Sequence, residues 1–107
     1  MQSDTASLTK LHILEALLQK GYKSDLVGKA LNKLVELELA KLKRELTEIE
    51  TGIERLEAKY DMNSEEFAEK FHAGLADDSA DNIEWISFLD MRTALFQRIR
   101  LLQEESS

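Results

Sequence analysis

An apolar residue recurs at every third or fourth position through the middle of this chain. Val35, Leu39, Leu42, Leu46, Ile49, Ile53, Leu56 and Tyr60 follow one another in steps of 4, 3, 4, 3, 4, 3 and 4. That spacing lays one apolar seam along a helix, and such a seam needs a partner surface. Leu39, Leu46, Ile53 and Tyr60 take heptad position a, and Val35, Leu42, Ile49 and Leu56 take d. A parallel dimer through this seam sets Glu45 against Glu50, which repels. An antiparallel arrangement is easier, since Lys43 and Glu57 then face one another. Exposed pairs of that kind contribute about 0.2–1 kcal/mol each, so they choose orientation rather than supply stability. The simplest prediction is an intramolecular helical hairpin.

The flanking segments supply its other parts. Leu8, Leu11, Leu14 and Leu18 recur at helical spacing, widened by Ile13 and Leu17, and predict a helix over 7–20 ended by Gly21. Ser24 is the expected N-cap of the long helix, 25–60, which reaches ~50 Å. Its first turns carry Leu26, Val27, Ala30, Leu31 and Leu34, a broader apolar face on which the N-terminal helix is expected to fold. Gly52 falls at position g beside the seam, where it either admits a close neighbour or is a tolerated weak point.

After a break at Asp61–Asn63, Asn63 and Glu66 form a capping box for a short helix, 64–73, that places Phe67 and Phe71 on one side and ends at Gly74. The acidic loop 75–81 follows. Asp81, with Glu84 three residues on, is the expected cap of a last helix over 82–103. Its stripe reads Trp85, Leu89, Arg92, Phe96, Ile99 and Leu102, with Ile86, Phe88 and Leu95 alongside. At ~33 Å it matches residues 38–60, so the two are expected to lie antiparallel with the short helix crossing their join. The fold expected is all-α: a long antiparallel, coiled-coil-like hairpin with a short crossing helix and an N-terminal helix, one domain over 1–107.

Composition narrows the function. The 107 residues contain no proline, four glycines and no cysteine, which favours helix and excludes disulfides and thiol chemistry. No apolar run approaches ~18 residues, and the start, Met1 to Asp4, lacks the basic and apolar stretches of a signal peptide. A cytoplasmic location is expected. Net charge is −7, unevenly placed: residues 1–33 sum to +2 and 34–107 to −9. The acidic bulk suits a basic protein partner better than nucleic acid or a membrane. The uncovered apolar face of the first two helices points also to a homodimer.

Candidate chemistry is sparse. Asp77, Asp78, Asp81 and Glu84 offer oxygen ligands, with His72 upstream, but EF-hand spacing and its glycine are absent. Glu65, Glu66 and Glu69 fit the E-E-x-x-E half of the metal-binding signature of all-α nucleotide pyrophosphohydrolases. The second half ends at Ser87 where an acid is needed. His12 and His72 have no serine or cysteine constellation beside them. Residues 7–34 resemble a helix-turn-helix in outline only, with no arginine before Arg44. No catalytic residue, metal or cofactor is expected, and the chain is read as a non-enzyme.

One stretch carries a resemblance. Residues 58–78, AKYDMNSEEFAEKFHAGLADD, followed by DNIEW at 81–85, resemble a small helical family of bacteria and archaea with the pattern KYxMSxEEFxxxFxxGxLxDD and a Glu-Trp pair. The likeness covers about residues 25–103. Asn63 stands where that pattern has serine, and the interval from Gly74 to the acids is one residue shorter. Members of that family are often encoded beside a small toxin-like protein. The resemblance thus implies an antitoxin-like component of a toxin–antitoxin module, neutralising a small basic partner by covering its surface. The contact residues expected are Phe67, Phe71 and Trp85 as anchors, with Asp77, Asp78, Asp81 and Glu84 steering toward cations. The alternatives are a structural homodimerisation module, acting through the seam and the N-terminal helix, and a metal-dependent nucleotide hydrolase.

Overall fold

The computed structural model describes residues 4–106, with side chains as far as Glu104. The start-of-chain reading at residues 1–3 lies outside them. Four helices are formed among the described residues: α1 (Thr5–Gln19), α2 (Asp25–Tyr60), α3 (Ser64–His72) and α4 (Ala80–Ser106). The fold is all-α. The long α2 and α4 pack antiparallel, with short α3 between them. The chain divides into two compact units, Met1–Asn32 and Lys33–Ser107.

In the first unit, α1 closes in a glycine-dependent stop. Gly21 takes φ +93°, its N–H donates to the Leu18 carbonyl, and Tyr22 N–H donates to the Leu17 carbonyl. This six-to-one, five-to-two pairing satisfies carbonyls that the helix end would leave open. Ser24 Oγ then accepts from Val27 N–H at 3.2 Å and caps α2, as expected. Leu14, Val27 and Leu31 are half-buried, and no described residue of this unit is buried. The expected shielding of the apolar first turns of α2 is therefore slight.

The second unit holds the core in two connected clusters. Leu42, Ile49 and Ile53 of α2 meet Leu95 and Ile99 of α4, flanked by Leu39, Leu46 and Leu102. Nearer α3, Leu56, Phe67 and Trp85 form the second cluster, each at most 2% exposed. From Leu39 to Leu56 the heptad seam thus finds its partner surface within the chain. Phe88 and Leu89 touch both clusters. Gly52 lies directly under the Phe88 ring: a Cβ built there falls 2.6 Å from Phe88 Cε2. The glycine admits the ring.

Three details of the hairpin correct the expectations. Phe96 is not on the buried stripe. It is 49% exposed, and Leu95 takes the inner position. The packed face of α4 carries Trp85, Phe88, Leu89, Leu95, Ile99 and Leu102. Asp81 is not the cap of α4. Ser79 is, its Oγ accepting from Asn82 N–H at 3.2 Å and its carbonyl from Ile83 N–H, so the helix starts two residues earlier. Glu57 does not look across to a lysine; its carboxylate is taken up by the start of α3, as follows.

Candidate partner-binding surface

The end of the hairpin where α2, α3 and α4 meet is organised around Trp85. Its ring stacks on Phe67, with centroids 4.0 Å apart and planes 4° apart, and lies 6.0 Å from Tyr60 on α2. A buried indole needs an acceptor for its N–H. Ser64 provides it: Trp85 Nε1 donates to Ser64 Oγ at 3.0 Å, and the Ser64 hydroxyl donates onward to Glu57 Oε2 at 2.8 Å. The same Glu57 oxygen accepts the Ser64 backbone N–H at 2.8 Å. One carboxylate from α2 therefore binds the positive N-terminus of α3 and orients the serine that satisfies the tryptophan. Asn63 adds the local cap, its Oδ1 accepting from Glu66 N–H at 2.8 Å.

A second polar knot ties α4 to α2. Asp81 Oδ2 accepts from Lys59 Nζ at 2.6 Å and from the Tyr60 hydroxyl at 2.5 Å. Arg55 Nη2 donates to Glu84 Oε1 at 2.7 Å one turn further on. The hydrogen bonds from Lys59 and then Tyr60 hold the Asp81 carboxyl below its ordinary range. The bond to Asp81 raises both donors, Lys59 and Tyr60.

The expected contact residues now sort into distinct places. Phe67 and Trp85 are 2% and 1% exposed and belong to the core, so the reading of them as surface anchors is corrected. Their spacing showed that they share faces with other apolar residues; packing against Leu56 decides that those faces turn inward. Phe71 is half-buried between Phe67 and His72. Asp81 and Glu84 spend their charge on Lys59 and Arg55. Asp77 braces the loop: its Oδ1 accepts from Ser79 N–H and Asn82 Nδ2, both at 3.0 Å. Asp78 alone of the four acids is exposed with no ion pair or hydrogen bond among the described residues.

Ser64, Lys59 and Asn82 are organising residues that sequence reasoning passed over, and Glu57 is one that it set against Lys43 instead of Ser64. Positions e and g for Glu57 and Lys59, flanking the seam, were the available signal. Beside the knot lies an open groove of about 430 Å³, bordered by Tyr60, Met62, Lys70, Leu75, Ala76 and Asn82. Leu75 on its rim is 77% exposed. The outer surface of α3 and its flanking loops presents Asp61, Glu65, Glu69 and Asp78, all exposed and outside the ion pairs formed among the described residues. Among those residues no three carboxylate or imidazole groups converge as metal ligands. No helix of them is long and apolar enough to cross a membrane. No protein-family model, curated protein or solved structure matches this chain.

Proposed function

We propose that this chain is a non-enzymatic, antitoxin-like binding component that captures a small basic protein and occludes its surface. The observation that carries the reading is the set of exposed acids on α3 and its flanking loops, Asp61, Glu65, Glu69 and Asp78, that lie outside the ion pairs formed among the described residues, with Leu75 exposed in the loop after α3. Glu65 and Glu69 stand one turn apart on α3, a like-charge spacing that costs a helix about 0.2–0.5 kcal/mol. A cationic partner reverses the sign of that term. The internal aromatic stack makes the surface rigid, so little ordering is required on binding. Phe71 and Leu75 are the apolar contacts in this reading. Asp61, Glu65, Glu69 and Asp78 steer the approach of the partner.

The test is affinity capture from native extract, followed by association kinetics with the recovered protein at two ionic strengths. A small basic protein at fixed stoichiometry is expected, with an on-rate that falls as salt rises. Glu65→Gln with Glu69→Gln and Asp78→Asn should slow association and flatten the salt dependence. Capture that is indifferent to these substitutions, or a partner that is not basic, refutes the reading.

A further inference from the structure

The N-terminal helix carries an observation independent of the acidic surface. α1 is apolar around most of its circumference, and none of its residues is buried. Leu8, Leu11 and Leu18 are 53%, 50% and 41% exposed. Helices of that character are ordinarily covered.

We propose that the cover is a second copy of this chain, with α1 paired in parallel against α1. The seam is the exposed Leu11 and Leu18 at heptad position a, with the half-buried Leu14 at d between them. Charge chooses both the partner and the direction. Lys10 falls at g and Glu15 at the following e, on opposite flanks of the seam. Neither forms an ion pair among the described residues. In a parallel pair Lys10 of each copy meets Glu15 of the other, and two-fold symmetry makes the contact twice. An antiparallel pair sets Lys10 against Leu17 and Glu15 against Leu8, leaving both charges unanswered.

The proposal is tested on the full chain by sedimentation equilibrium at micromolar concentration. The wild type is expected at twice the 12.2 kDa chain mass. Leu11→Glu with Leu18→Glu should return it to the monomer while Trp85 emission stays that of a buried indole, since the hairpin core lies elsewhere. Lys10→Glu alone and Glu15→Lys alone should each weaken dimerisation roughly tenfold, and the two together should restore it. A monomeric wild type overturns the proposal, as does a dimer that survives the leucine substitutions. Failure of the charge swap to rescue overturns the parallel register.

Discussion

Replacing Gly52 by alanine sets two effects of opposite sign against each other. In an exposed helix interior the change stabilises by about 1 kcal/mol, because alanine loses less backbone entropy on folding. At position 52 the new methyl falls 2.6 Å from Phe88 Cε2, 3.0 Å from Cζ and 3.2 Å from Cδ2. Three ring atoms must move, and the half-buried ring already packs on both core clusters. Overpacking of that kind costs about 1–3 kcal/mol. Steric cost therefore wins, leaving Gly52→Ala destabilised by up to about 2 kcal/mol, or several degrees in Tm for a chain of this size. Removing the ring reverses the sign: in a Phe88→Ala background the same substitution should stabilise by about 1 kcal/mol. Gly28, on the same helix, has nothing within 4 Å of its built Cβ and supplies the control. Gly28→Ala should raise helical stability whatever residue 88 is. The assay is urea unfolding followed by far-UV circular dichroism and Trp85 fluorescence. An equal shift from Gly52→Ala with and without the ring would refute the close-approach argument.

Two more outcomes follow from the polar groups at the hairpin end. Ser64→Ala leaves the buried Trp85 N–H without its acceptor and should cost about 1–3 kcal/mol, measured by urea unfolding; a loss of only a few tenths would mean that the indole finds another partner. The lowered Asp81 carboxyl contributes stability that is whole above its ordinary value of 3.8 and is lost as pH falls through its depressed value. Raised Lys59 and Tyr60 contribute below their ordinary values of 10.5 and 10.0 and lose that contribution as pH climbs through the raised ones. Asp81→Asn should flatten the stability profile at both ends while changing little near neutrality in slope; an unchanged acid limb in thermal melts across pH would exclude the knot as its source.

Much of this architecture was legible because it rests on periodicity and local backbone chemistry. The seam from Val35 to Tyr60, the Ser24 and Asn63 caps and the stops at Gly21 and Gly74 each depend on residues within a turn or two of one another. What was not legible depends on distant groups. Ser79 and Asp81 are both good capping residues, and the choice falls to Ser79 while Asp81 is held by Lys59 and Tyr60, more than twenty positions away. Leu95 and Phe96 both fit a helical stripe, and α4 has further apolar side chains outward at Ile83, Met91 and Leu101. Only the register against α2 selects between them. The same ambiguity left the facing of Phe67 open, whereas Trp85 already stood on the stripe expected to pack; the burial of both removes them from the contact surface.

The two core clusters differ in how far apart in sequence their members lie, and this gives the hairpin a direction in time. Leu56, Phe67 and Trp85 are joined by short loops through α3. Leu42 and Ile99, in the other cluster, are separated by more than fifty positions. Loop-closure entropy makes the first meeting cheaper than the second. Closure is expected to begin where α3 joins the long helices and to travel toward the far ends, each turn shortening the loop left to close. During synthesis the apolar edge of α2 is complete well before α4 exists to cover it. Ile99 and Leu102, made after every residue of α2 that they cover, finish its enclosure.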